Sequence, residues 1–240
     1  MKIDILAIGI HPDDVELSAS GTLLRQASLG YTFGLLDLSR GELGTRGNAA
    51  LRSREALDAA RILGAAFREQ LDIPDGLFTY SPDNLKAIVR SLRTHQPRVV
   101  LCNAIDDRHP DHGRSAKLVA DACFYAGLPK IETLDAEGRV QAPWRPLAVY
   151  HYIQDKQLTP EFIVDITPWF EQKMQAILAF RSQFYDENDQ DSPQTPISGK
   201  DFLAFMEAKA RVFGRPGQVQ YAEGFTCART PVINDLLSML

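Results

Sequence analysis

Residues 3–10 form an almost unbroken apolar run that stops abruptly at His11-Pro12. A run this short and continuous is the pattern of a strand covered on both faces, because a half-exposed strand would alternate apolar and polar side chains. Such a strand needs helices on both sides, and the rest of the chain supplies them. The spacing predicts a helix over about 15–29, a strand over 31–38, a helix over 51–63, and a weaker strand near 67–71. A helix opening at Ser81-Pro82 and a fourth strand over 98–103 follow. Strands alternating with helices at this spacing imply right-handed crossovers and a mostly parallel sheet. The expected fold class is therefore α/β, a Rossmann-like sheet flanked by helices, in one domain over residues 1–240. Further on come a helix over about 111–125, strands over 147–152 and 162–165, and a helix capped by Thr167-Pro168. A polar loop or flap over 186–200 leads to an amphipathic helix over 201–213, whose Phe202, Phe205, Met206 and Phe213 read as core.

Chemistry enters where the first run ends. His11-Pro12-Asp13-Asp14 puts an imidazole and two carboxylates on one stiff turn, since Pro12 fixes its own φ and keeps His11 out of the helical region. A counterpart, Arg108-His109-Pro110-Asp111-His112, follows the apolar run 99–102. Three of the five histidines sit in these two turns, which makes a shared site a better reading than separate packing roles. If strand four lies beside strand one, the turns meet at the carboxyl ends of adjacent strands, at the switch point where open α/β sheets bind ligands. His-x-x-Asp with His-x-x-His then offers four nitrogen or oxygen ligands of the kind zinc accepts. Four ligands would make a closed, structural site. Three would leave room for a water whose pKa falls toward about 7, freeing Asp13 as general base and one histidine as proton donor or oxyanion stabiliser. The bland alternative is that Asp13 or Asp14 caps the next helix, but a cap requires no imidazole. His95 and His151 read as structural.

The glycine-rich stretch 40–48, with Arg46 inside it and Arg52 and Arg54 beyond, follows strand two and so belongs to the same mouth. Guanidinium groups beside glycines suit a carboxylate or phosphate on a substrate, although pairing with Glu42 and Glu55 is the plainer reading. Asp37 ends strand two where dinucleotide-binding folds keep an acid, but no GxGxxG follows strand one, so a nicotinamide role is not expected. A net charge of −5 argues against a nucleic-acid surface. Three scattered cysteines, Cys102, Cys123 and Cys227, suggest neither a disulfide framework nor a thiolate metal site and fit a reducing cytosol. No apolar segment approaches a membrane span, and the first residues lack the features of a signal peptide. A cytoplasmic protein is expected.

Both histidine motifs together resemble the zinc-dependent N-acetylglucosaminyl de-N-acetylase superfamily, PIG-L or LmbE-like. The segments 37–47, Arg52-Ser53-Arg54-Glu55-Ala56, Tyr150-His151-Tyr152-Ile153-Gln154-Asp155 and Tyr221-Ala222-Glu223-Gly224-Phe225 look like the branch that removes acetate from N-acetylglucosaminyl-malate in bacillithiol biosynthesis. The resemblance implies one Zn2+ per chain, with Fe2+ as a rival ion, held by His11, Asp14 and His112. It also implies Asp13 as general base, His109 as the protonated partner of the oxyanion, Asp111 orienting His109, and Arg52 and Arg46 contacting substrate. A small N-acetylglucosaminide as substrate and a homo-oligomer, a hexamer in that branch, belong to the same implication. Rival readings are a deacetylase of another N-acetyl sugar, such as a chito-oligosaccharide or a mycothiol-like precursor, and a non-catalytic sugar-binding module stabilised by zinc. Ser18-Ala19-Ser20 replaces a more glycine-rich stretch expected after the first motif, which bears on how the first helix is built.

Overall fold

Seven strands form one sheet in the computed structural model, which describes the chain except residues 188, 190, 236 and 238–240. They are β1 (Ile5–Gly9), β2 (Phe33–Asp37), β3 (Arg68–Gln70), β4 (Val99–Cys102), β5 (Ala148–Tyr152), β6 (Phe162–Asp165) and β7 (Ala222–Cys227). Their order is β3-β2-β1-β4-β5-β7-β6. The pairs from β3 through to β5 are parallel, and β7 is antiparallel to both β5 and β6. The expected parallel sheet thus carries an antiparallel flank built by the C-terminal third, in which β7 starts one residue into the aromatic segment at Tyr221. Strand β4 pairs directly with β1, Ile5 opposite Val99 and Ala7 opposite Leu101, so the order reverses between them as the pattern predicted.

The helices are α1 (Asp14–Ser18), α2 (Ser20–Ser28), α3 (Ala49–Leu63), α4 (Pro82–His95), α5 (Pro110–Ala126), α6 (Phe170–Leu178) and α7 (Lys200–Gly214). Alternation along β1 explains why both sheet faces are covered. Leu6 and Ile8 join Leu85, Ile88, Leu92, Leu118 and Val119 in the core under α4 and α5. Ile5 and Ala7 join Val15, Leu23, Leu63 and Ala176 under the other helices. Local signals set the helix ends as read: the Ser81 hydroxyl accepts the Asn84 N–H, and Gly64 closes α3 in the left-handed conformation. Thr167-Pro168 starts a short tight turn (Thr167–Trp169) ahead of α6 without a side-chain cap. Of the expected 186–200 loop, residues 186–199 lie outside helix and strand as far as they are described, residues 188 and 190 fall outside the described set, and Lys200 already opens α7. No described helix is long and apolar enough to cross a membrane.

The expected helix over 15–29 is in fact two, broken at Ala19 (φ −141°, ψ 0°). A break leaves the last carbonyls of α1 and the first N–H groups of α2 without intrahelical partners. Lys173 and Glu223 supply both sets. The Lys173 ammonium donates to the Glu16 and Leu17 carbonyls at 3.1 and 2.7 Å and to Glu223 at 2.7 Å. The Glu223 carboxylate accepts from the Gly21 and Thr22 N–H groups at 3.0 and 2.7 Å. Both side chains are buried, and neither is near the break in sequence, which is why periodicity alone read one helix.

Removing one member strands the other's charge in the interior. Lys173→Met is expected to cost about 3–5 kcal/mol in denaturant unfolding, with much of the loss recovered when Glu223→Leu is added.

Candidate metal centre and active site

The pairing of β1 with β4 carries both histidine turns to one point. The ring centroids of His11 and His112 are 5.6 Å apart, and those of His11 and His109 4.8 Å. Each of the two buried histidines has one nitrogen fastened to an outer carboxylate. His11 Nε2 lies 2.9 Å from Asp75 Oδ1 and 3.5 Å from Asp111 Oδ2, while His112 Nδ1 lies 2.6 Å from Asp107 Oδ2. These bonds assign the outer nitrogens as donors and turn the remaining ones, Nδ1 of His11 and Nε2 of His112, toward Asp14, at 3.7 and 3.1 Å. Carboxylates behind histidines are the arrangement that orients metal-ligating imidazoles.

Asp14 itself is held on every side. One oxygen accepts the His11 N–H and the Asn103 side-chain amide, both at 2.9 Å, and the other accepts the Gln154 amide at 3.0 Å. The turn closes so tightly that a Cβ on Gly9 would meet Asp14 Cβ at 2.9 Å, hence the glycine. Burial works against the imidazolium forms, yet the surrounding carboxylates win: His11 is pushed up to about 10 by Asp111, Asp75 and Asp14. His112 is pushed up to about 9 by Asp14 and Asp107. Burial would raise Asp14, but His112 and His11 hold it well below the usual carboxylate range. The field between the rings favours positive charge, and a divalent cation answers it if those protons are released. Two imidazole nitrogens and one fixed carboxylate therefore fit such an ion.

Asp13 is different. Its φ of 126° is a conformation that residues other than glycine rarely adopt, and strain of this kind concentrates at working sites. Burial lifts its carboxyl well above the usual range and Asp14 adds to the lift, while the Arg52 guanidinium at 3.0 Å opposes it. Arg52 also donates to the Pro12 carbonyl at 2.8 Å and the Gly41 carbonyl at 3.1 Å. Gly41 (φ 63°) is required by that contact, since a Cβ there would fall 2.0 Å from Arg52 Nη1.

The remaining expected residues are placed as follows. His109 is the N-cap of α5, and its Nδ1 accepts the Asp111 N–H at 3.3 Å. Burial and the neighbouring His11 and His112 push its pKa down, which favours the neutral ring over the protonated one that the resemblance implied. The Asp111 carboxylate does not orient His109. It faces His11, the Gly76 N–H at 2.9 Å and the Arg114 guanidinium, and only its backbone reaches His109. Arg46 is buried away from the cavity wall in an ion pair with Asp189, and its carbonyl accepts from Gln183. The cavity holds about 240 Å³ and is lined by the metal-type residues, Asp13 and Arg52 together with the apolar Ile197, Phe202, Phe205 and Met206.

Sequence reasoning missed Asp75, Asp107, Asn103 and Gln154. Asp75 sits in Ile73-Pro74-Asp75-Gly76, which reads as turn chemistry, although it follows β3 at the same sheet end as the histidine turns. Asp107 stands five positions before His112, in the same loop, and was the more readable of the two.

Residues 6–123 match the family described as PIG-L: GlcNAc-PI de-N-acetylase. A diacetylchitobiose deacetylase from Thermococcus kodakarensis is 30% identical over 230 residues, covering 92% of this chain and 81% of the relative. Among solved structures, the conserved protein TT1542 from Thermus thermophilus is 35% identical with a TM-score of 0.84, covering 98% of each chain. The N,N'-diacetylchitobiose deacetylase from Pyrococcus horikoshii, complexed with its inhibitor MPG, is 27% identical with a TM-score of 0.78, covering 93% of this chain and 83% of that one.

If Asp75 and Asp107 hold the two imidazoles in register for an ion, Asp75→Asn and Asp107→Asn will each weaken divalent-metal affinity about 10–100-fold. Competition against a chromogenic chelator measures this, with circular dichroism showing that the fold is kept.

Proposed function

The chain belongs to the PIG-L family of GlcNAc-PI de-N-acetylases, and from that premise we propose that it is a metal-dependent deacetylase hydrolysing the acetamide of an N-acetylglucosamine conjugate. The observation that carries this reading is the Asp14 carboxylate standing between two histidine nitrogens whose outer partners are fixed, with the buried, strained Asp13 alongside. In this reading His11, Asp14 and His112 hold the ion, and zinc suits that donor set, with Fe2+ the rival. When bound, the ion supplies Lewis acidity toward the acetamide carbonyl and a nucleophile from water at neutral pH.

The chain's own groups do the rest. Asp13, with its carboxyl lifted toward the working pH and its position held by Arg52, takes the proton of the attacking water and passes it to the departing amine. His109 keeps its proton on Nε2, because Nδ1 accepts the Asp111 N–H, and donates it as a hydrogen bond to the oxygen that becomes negative. Asp111 acts through His11. Arg52 lines the cavity beside the substrate, while Arg46 acts from behind by holding the 186–200 loop through Asp189.

For the substrate, the segments shared with the bacillithiol branch support N-acetyl-α-D-glucosaminyl L-malate. The second reading is a chito-oligosaccharide, favoured by likeness to the Thermococcus diacetylchitobiose deacetylase over 92% of this chain. Homo-oligomeric assembly, with the hexamer implied by the resemblance, and a cytoplasmic setting complete the reading.

Asp13→Asn is expected to lower kcat by about 10²–10⁴-fold while the protein still binds metal in the chelator competition. Retained activity with bound metal would remove Asp13 from its role. Amine release from N-acetylglucosaminyl L-malate, diacetylchitobiose and methyl N-acetylglucosaminide should be abolished by chelator and restored by added zinc. The order of kcat/KM across the three decides between the two substrates.

A further inference from the structure

Part of the cavity wall is one face of α7. Phe202, Phe205, Met206 and Lys209 all line it, at spacings of three, four and seven residues that share a helix side. One lysine therefore stands in an otherwise apolar stripe of the cavity lining. Lys209 Nζ donates to the Ile153 carbonyl at 2.9 Å and lies 5.8 Å from the centre of the Phe213 ring. Among the described residues, none of its neighbouring carboxylates is within ion-pair distance, because each serves another group. Asp107 is bound to His112, Asp155 to Arg108 and Glu223 to Lys173. Burial, with the nearby Lys173, lowers the Lys209 pKa to about 8, so it still carries its charge at neutral pH.

A buried charge without a counter-charge is costly unless something that binds beside it supplies one. The other cations of this region are committed to protein acceptors: Arg52 to Asp13 and two carbonyls, Arg46 to Asp189, and Arg108 to Asp155 at the exposed rim. We propose that Lys209 binds an anionic group, a carboxylate, carried by the substrate, so that the cavity is built for an acidic N-acetyl sugar conjugate in preference to a neutral one. This rests on the deacetylase reading above and names the residue that would favour the acidic of its two substrates. The charge comes from α7, and not from the glycine-rich loop whose arginines looked suited to it in sequence.

The test compares metal-loaded wild type with Lys209→Met, which keeps the length and apolar packing of the side chain, on N-acetylglucosaminyl L-malate and methyl N-acetylglucosaminide. The variant should lose about 10–100-fold in kcat/KM on the malate conjugate, chiefly through KM, and its preference for acid over neutral substrate should fall at least about tenfold. Lys209→Arg should recover part of that preference. Equal losses on both substrates, or none, would overturn the proposal and leave Lys209 a structural donor to Ile153. The released acetate is the other source of a carboxylate. Weaker inhibition by acetate in Lys209→Met with the substrate preference intact would assign the ammonium to the product and also overturn the proposal. If the wild type hydrolyses neither glucosaminide, the deacetylase reading falls independently. The lysine is then judged by calorimetric binding of L-malate, which Lys209→Met must weaken at least about tenfold for the inference to stand.

Discussion

The side-chain amide of Asn103, fully buried just beyond the end of β4, ties the sheet to the site. Its oxygen accepts the Ile10 N–H at the end of β1 and the Ser115 hydroxyl of α5, both at 2.9 Å. Its nitrogen donates to Asp14 at 2.9 Å and to Gln154, beyond β5, at 3.0 Å. All the amide's hydrogen-bonding capacity is thereby used on the chain leaving the two strands that flank β4 and on helices α1 and α5. Parallel pairing of β1 with β4 brings the two proline turns together, and this amide fixes the carboxylate between them. Without it, Asp14 would be a buried anion free to choose among several donors.

The region around the site is crowded with carboxylates, and the fold tolerates them through a few buried cations. Asp37, at the position where a ribose-binding acid would stand in another family, is instead gripped at two points by Arg68, each at 2.7 Å, and the same guanidinium reaches Glu16. Burial raises both acids toward their neutral forms, and Arg68 opposes that. Arg52 opposes the same lift at Asp13, and Lys173 is ion-paired with Glu223. The acids lining the cavity are thus matched to specific bases, and among the described residues Lys209 is the cavity-lining lysine with a carbonyl but no carboxylate as partner.

Much of this was legible in the sequence. The strand runs, their alternation with helices and the adjacency of β1 and β4 followed from apolar patterning and the doubly wound order, and the two His-Pro-Asp turns marked the site. What the sequence could not show were relations made only by folding. Asp75 and Asp107 look like turn residues until His11 and His112 are seen leaning on them. Arg46 and Arg52 read as partners of Glu42 and Glu55 or of a substrate anion, whereas Asp189 and Asp13 occupy them, Glu42 accepting backbone N–H groups and Glu55 accepting from Ser182. The 15–29 helix looks continuous because a break stabilised by distant side chains leaves no trace in local periodicity. The α7 stripe was read as core, which holds for the buried Phe202, Met206 and Phe213 but not for the exposed Phe205, and the lysine within it drew no notice, because a single polar position in a stripe passes for its edge.

The interruption at Ala19 bears on how the chain can be divided. The family match ends at residue 123, and every imidazole and carboxylate of the metal-type cluster lies before that point. The first helix that carries Asp14 is nevertheless fastened at its far end by Lys173 and Glu223, and the carboxylate itself by Gln154, all of which come later. The first half thus carries the donor atoms without the means to keep them aligned. A fragment or chimera joined at the boundary of the matched segment would inherit the right chemistry in the wrong geometry, and graftable units in this architecture must include the antiparallel flank.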